Sequence, residues 1–230
     1  MRVVLKFKNL GRFALLLCFW ATSWSPVEAD PEANGGPLIL VVLGDSITAG
    51  YGLAEAEALP VKLEQKLRHD GFKITIRNAG ISGDTTAGGR ERIDWSVAQD
   101  VDAVLVALGG NDVLRAIPPE ETEKNLKSII TQLRQRNIAV LLAGMLALPN
   151  YGPEFGEEFN GIYTRLAEEF DVPLYPFLLD GVATDPAYNQ ADGIHPNEAG
   201  VAIIVDRLGA FIASALSLKP ATLDEFEVAP

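Results

Sequence analysis

The run Leu38-Ile39-Leu40-Val41-Val42-Leu43-Gly44-Asp45-Ser46 decides the fold class of this chain. Six consecutive apolar residues leave no polar face, so a strand here is covered on both sides, as in parallel sheets packed between helices. Gly44 ends the run and lets the chain turn sharply. The pattern returns at Ala103-Val104-Leu105-Val106-Ala107-Leu108, which is closed by Gly109-Gly110. Between the two runs, residues 55–68 read as a helix, with Leu59, Leu63 and Leu67 four apart on one face. Lys73-Ile74-Thr75-Ile76 alternates like a strand that stops at Asn78-Ala79-Gly80, and residues 86–99 form a weaker helical pattern.

Downstream, the spacing predicts a helix over 119–136. Leu126, Ile129, Ile130 and Leu133 line its inner face, and Pro118 and Pro119 stand at its start. Glu120–Lys124 and Glu123–Lys127 are expected to pair along its outer face. A strand over 138–146, a helix over 157–170, a short strand over 173–175 and a final helix over 197–216 complete the alternation. Strands separated by helices pair in parallel through right-handed crossovers. The expected fold is therefore α/β, a three-layer, flavodoxin-like α/β/α sandwich with about five parallel strands. Ligands of such sheets bind beyond the carboxyl ends of the strands, so the turns after 38–43 and 103–108 should open onto one edge.

The ends of the chain read differently. Residues 1–12 carry Arg2, Lys6, Lys8 and Arg12 and no acid, an apolar run over 13–21 follows, and Val27 and Ala29 fit a small-x-small cleavage signal. Residues 1–29 are expected to be a signal peptide cut after Ala29, which places the mature protein in the periplasm or outside the cell. The apolar run is short for a membrane span, so no stable span is expected after its removal. Residues 30–37 read as a flexible lead-in, 38–218 as the single domain, and 219–230 as an acidic, disordered tail. Cys18 is the only cysteine, and it lies within the expected signal. The mature chain then has no disulfide, no thiolate nucleophile and no cysteine metal site. The formal net charge of −12 becomes more negative once four bases and one acid are removed, and such a surface argues against nucleic-acid partners. The oligomeric state is left open.

The chemistry concentrates in three short stretches: Gly44-Asp45-Ser46, Gly109-Gly110-Asn111-Asp112 and Asp192-Gly193-Ile194-His195-Pro196. A nucleophilic serine needs a base that titrates near neutrality, and the chain has only two histidines. His69 stands in a charged helix end, where a solvated histidine is the default. His195 follows Asp192 by three residues, a spacing at which the carboxylate reaches the imidazole within one loop. Pro196 suits the first turn of the last helix. Ser46 reads equally well, taken alone, as a helix N-cap, and His195 as a histidine satisfied by a local acid. No G-x-S-x-G elbow occurs. Asp45, Asp84, Asp112, Asp192 and His195 offer a metal set, but hydrolytic zinc sites draw on more histidines than this, so no metal or cofactor is expected. The Ser46 N–H, the Gly83 N–H and the Asn111 side-chain amide are candidate donors to an oxyanion.

These blocks, taken in order with the Gly83 turn, resemble those of the SGNH, or GDSL-type, hydrolases. The wording of Asn78-Ala79-Gly80-Ile81-Ser82-Gly83-Asp84-Thr85, Leu148-Pro149-Asn150-Tyr151-Gly152 and Phe170-Asp171-Val172-Pro173-Leu174 is similar to the bacterial multifunctional thioesterase, lysophospholipase and arylesterase group. The likeness spans residues 38–218. It implies Ser46 as nucleophile, His195 as base, Asp192 as the orienting acid, and an oxyanion hole of Ser46, Gly83 and Asn111. Ile47 departs from the leucine of the motif's name, with no change of chemistry. The resemblance also implies a mobile lid over 113–117.

The reading that follows is a serine hydrolase acting on small acyl esters and thioesters, with Ile81, Leu114, Leu146 and Leu148 as candidates to hold the acyl chain or, equally, as core. A carbohydrate O-deacetylase on the same fold is the alternative enzyme. A flavodoxin-like binding module, with an anion in the turn at 44–50, is the alternative without catalysis.

Overall fold

The computed structural model describes residues 36–220; the expected signal peptide, its cleavage site, Cys18, most of the lead-in and most of the tail lie outside them. Strand β1 (Leu38–Gly44) is buried along almost its whole length, as a run with no polar face requires. β2 (Ile74–Gly80), β3 (Ala103–Ala107), β4 (Ala139–Ala143) and the two-residue β5 (Leu174–Tyr175) join it in one sheet of order β2-β1-β3-β4-β5. Every pairing is parallel. This is the expected flavodoxin-like order.

Helices fill the connections. α1 (Ser46–Ala49) and α2 (Leu59–His69) follow β1, α3 (Thr86–Glu91) and α4 (Ile93–Ser96) follow β2, and α5 (Gly110–Leu114) and α6 (Pro119–Gln135) follow β3. α7 (Pro153–Phe170) follows β4, and α8 (Glu198–Ala215) ends the domain. α2 packs on α8, while α6 lies against α3 and α7. Since β3 and β4 are buried on both faces, the two groups of helices form the outer layers. Leu63 and Leu67 of α2, Ile129 and Leu133 of α6, and Ile204 and Leu208 of α8 reach the core with no exposed surface. Burying one such side chain stabilises the fold by about 1.5–3 kcal/mol.

Several boundaries differ from expectation for local reasons. The helix expected over 55–68 is interrupted. Residues Glu55–Glu57 form a separate 3-10 turn, and α2 begins only at Leu59, just before Pro60, which a helix accepts in its first turn. β2, by contrast, ends at Gly80, within the expected stop at 78–80, in register with Gly44. The helix expected over 86–99 is two short ones that meet at Arg92. Pro196 stands outside α8, whose N-cap is Asn197, with its side chain accepting from Gly200 N–H. Finally, Glu123 and Lys127 do not pair along α6: Arg165 binds Glu123 and Lys127 binds Glu169, both across to α7.

The register places the site. Gly44 pairs with Gly80 on one side and Ala107 on the other, so the chain leaves three neighbouring strands at one level. β1 and β3 flank the point where the strand order reverses, and the crevice beyond their carboxyl ends is where such sheets bind ligands.

Candidate active site

Ser46 sits two residues beyond β1, as the first residue of α1. It is not the N-cap: Asp45 fills that role, its Oδ1 accepting from Ile47 N–H at 3.0 Å. Leaving the cap to Asp45 frees the serine hydroxyl. The turn is tight because Gly44 has no side chain; a Cβ there would stand 2.0 Å from Thr48 Oγ1 and 3.0 Å from the carbonyl oxygen of Ala107.

The loop before α8 carries His195, the expected base. Asn189 and Pro196 form an antiparallel bridge, Gln190 N–H donates to the His195 carbonyl at 2.8 Å, and Gly193 takes a left-handed φ of 70° at the tip. Asp192 folds back inside this loop. Its Oδ1 accepts from the backbone N–H groups of Ile194 and His195 at 2.9 and 3.0 Å, and its Oδ2 lies 2.7 Å from His195 Nδ1. The other ring nitrogen, Nε2, is 2.8 Å from Ser46 Oγ. Because Asp192 accepts at Nδ1, that nitrogen carries the proton and Nε2 is left free to accept the serine hydroxyl. The backbone N–H of His195, then that of Ile194, then the imidazole hold the Asp192 carboxyl down at about 2, so it stays ionised.

The other predicted residues come to the same edge. Gly83, with φ of 82°, follows β2, and Ile81 N–H ties that loop to the carbonyl of Gly44 at 3.1 Å. Asn111 lies in α5, directly after β3, and its Nδ2 donates to Asp45 Oδ2 at 3.3 Å. An amide nitrogen has two hydrogens, so one remains available to a substrate oxygen. Ile81, Leu114, Leu146 and Leu148 are 41–43% exposed, which removes the reading of these four as core. They belong to the loops or helix that follow β2, β3 and β4. Within residues 113–117, Val113 is packed in the core, Arg115 donates to the carbonyl of Gly83 at 2.7 Å, and the carbonyl of Leu114 accepts from the Tyr151 hydroxyl at 3.3 Å.

The carboxylates that offered a metal set are engaged one by one. Asp84 binds Arg92 at 2.6 Å, and Asp112, fully buried, accepts from Thr86 N–H and Oγ1 and from Thr122 Oγ1. Asp45 and Asp192 are occupied as described. Burial pushes the Asp45 carboxyl from its ordinary 3.8 up to about 6, although the Ile47 N–H, His195 and Asn111 all work against the rise. His69 is exposed at the end of α2.

Sequence reasoning missed four supports of this site. Arg92 is buried and reaches Asp84, the hydroxyl of Ser96 and, from its terminal nitrogen, the carbonyl of Gly44 at 2.8 Å. Asp45 caps α1 and holds Asn111. Gln190 Nε2 donates to the carbonyls of Tyr51 and Pro196. Tyr51 lies beside the imidazole, ring centres 4.6 Å apart. Arg92 and Gln190 act across the fold, and Asp45 joins its local cap to a partner 66 residues away.

The chain is similar to known proteins over most of its described length. A model of the GDSL-like lipase/acylhydrolase family matches residues 42–203. Thioesterase 1/protease 1/lysophospholipase L1 of Escherichia coli is 41% identical over 168 residues, which cover 73% of this chain and 79% of that protein. Esterase TesA of Pseudomonas aeruginosa is 40% identical over 158 residues, 68% of this chain and 79% of that protein. Among solved structures, AlinE4, an SGNH-hydrolase family esterase, superposes with a TM-score of 0.66 at 44% identity, covering 79% of this chain and 98% of that one.

Proposed function

The chain belongs to the GDSL-like lipase/acylhydrolase family, and from that premise we propose that it is a carboxylic ester hydrolase working through an acyl-serine intermediate. Ser46 is the nucleophile, His195 the general base and then acid, and Asp192 the group that fixes the imidazole. The observation that carries this is the unbroken relay from Asp192 Oδ2 to His195 Nδ1, and from His195 Nε2 to Ser46 Oγ, at 2.7 and 2.8 Å. In the first step Ser46 Oγ attacks the acyl carbonyl while its proton passes to Nε2. Asp192 stabilises the imidazolium, and the N–H groups of Ser46 and Gly83 with the Asn111 amide receive the oxyanion. As the intermediate collapses and its C–O or C–S bond breaks, the proton on Nε2 passes to the departing oxygen or sulfur, which leaves as alcohol or thiol. A water molecule then repeats the attack to free the acid.

Acyl esters and thioesters are the proposed substrates. The exposure of Ile81, Leu114, Leu146 and Leu148 favours an acyl chain longer than acetyl, since an apolar chain laid on them removes both surfaces from water. The basic, then apolar, then small-residue order of residues 1–29 supports export, so the periplasm or the cell exterior is the proposed location.

A fluorophosphonate probe tests the chemistry. It should label Ser46 and no residue in the Ser46→Ala variant, which should also lose nitrophenyl-ester turnover by about 10³-fold or more. Turnover that survives Ser46→Ala would exclude this mechanism.

A further inference from the structure

Tyr51 is an aromatic residue that the fold holds in place without burying it. It is 52% exposed, yet its backbone is fixed from both catalytic loops. Tyr51 N–H donates to the carbonyl of Ser46 at 3.0 Å, and its own carbonyl accepts from Gln190 Nε2 at 2.7 Å. Gln190 in turn donates through its backbone N–H to the carbonyl of His195 at 2.8 Å. The consequence is a phenol ring centred 4.6 Å from the imidazole and tilted by 38° to it. About half of the residue stays open to a molecule bound beside the imidazole.

The chemistry says what would cover it. In acyl transfer the departing oxygen or sulfur takes its proton from the same Nε2 that activated the serine. The leaving group therefore lies against the imidazole, while the acyl chain extends from the carbonyl carbon. The Tyr51 ring, centred 4.6 Å from that imidazole, therefore neighbours the space in which the leaving group sits. Ile194, next to His195 in the chain, is also 44% exposed. Ile81, Leu146 and Leu148 come from the strand-end loops instead, and Leu114 from α5.

We propose that Tyr51 is the wall of a leaving-group subsite and selects aromatic leaving groups by ring packing. This rests on the reading of Ser46 and His195 as nucleophile and base. Aromatic pairs gain beyond their buried area, and the half-exposed Tyr51 ring, packed beside the imidazole, presents such a face to the leaving group.

The test compares phenyl butyrate with trifluoroethyl butyrate, which share an acyl group and both have activated leaving alcohols, of which only one is a ring. In Tyr51→Ala the phenyl-to-trifluoroethyl ratio of kcat/KM should fall about five- to tenfold, chiefly through KM. Tyr51→Phe, which keeps the ring, should restore the ratio. Equal losses on both esters would overturn the assignment, since the ring would then serve the imidazole and not the substrate; so would an unchanged ratio in a variant whose Ser46 still reacts with the fluorophosphonate. Failure of that probe to label Ser46 in the unsubstituted protein would instead sink the serine-hydrolase reading, and this proposal with it.

Discussion

Asn111 donates its side-chain amide to the buried carboxylate of Asp45 at 3.3 Å, and that contact joins the turn after β3 to the turn that carries Ser46. The carboxylate is an acceptor only, so it dictates which end of the Asn111 amide faces it. The same group caps α1 through its other oxygen. One side chain thus fixes both the helix that begins at Ser46 and the orientation of a proposed oxyanion donor.

Asp45→Asn keeps the cap but presents an NH₂ where Asn111 also presents one. Two donors cannot share the contact, so Asn111 turns over and aims its oxygen at the developing oxyanion. The expected result is a fall in kcat of about 10²–10³-fold, the usual cost of losing one such donor. Steady-state kinetics on a nitrophenyl ester check it, and a kcat within threefold of the parent would show that the contact does not orient Asn111.

The same substitution has a signature in stability against pH. The folded Asp45 carboxyl titrates at about 6 and its unfolded counterpart at 3.8, because burial disfavours the charge. A raised carboxyl binds its proton more tightly when folded, so its favourable contribution is present at low pH and is lost as pH rises from about 4 to about 6. The interval corresponds to about 3 kcal/mol. Urea unfolding across that range should show the parent losing stability relative to Asp45→Asn by an amount of this order. A difference between the two that stays flat with pH would refute the shift.

Arg92 makes a different kind of contribution, since it is charged, buried and shared among three acceptors. Its guanidinium fork binds Asp84 and the carbonyl of Gly44 together, which links the Gly83 loop to the end of β1. Lysine has one nitrogen and no fork, so Arg92→Lys should lower both stability and kcat. Arg92→Leu strands the Asp84 carboxylate and should cost about 3–5 kcal/mol of unfolding free energy. The double variant with Asp84→Asn should recover a large part of that loss. If the single and double variants unfold at the same urea midpoint, the pair is not coupled in this way.

How much of this was legible in the sequence follows from the range over which each interaction acts. β1 and β3 could be read because runs such as Leu38 to Leu43 are continuous and closed by glycine. The relay could be read because Asp192 and His195 share one loop and histidine is scarce. The helix α5 escaped because five residues carry no period. Lys127 and Glu123 were expected to find each other four residues apart, but α7 brings Glu169 and Arg165 closer. Arg92 and Gln190 were invisible for the same reason: each has a partner far along the chain, 48 and 139 residues away.

Asp192 allows the sharpest separation of orientation from stability. Its Oδ1 takes two backbone N–H groups and its Oδ2 takes the imidazole, so an asparagine can keep the first role while failing the second. With an NH₂ facing Nδ1, the ring is driven to carry its proton on Nε2, and Nε2 can no longer accept from Ser46. Asp192→Asn should therefore lower kcat by about 10³–10⁴-fold. The carboxylate is partly exposed, so the change in unfolding free energy should stay within about 1 kcal/mol near neutral pH. The pH dependence has a definite sign: a carboxyl held down at about 2 stabilises the fold above its ordinary 3.8, and this is lost only as pH falls from there towards 2. Protonation of Asp192 then plays no part in any loss of activity seen between pH values of about 5 and 7. Matched kinetics and urea titrations of the parent and variant decide the matter, and a variant that loses stability in proportion to activity would show that Asp192 builds the loop without directing the histidine.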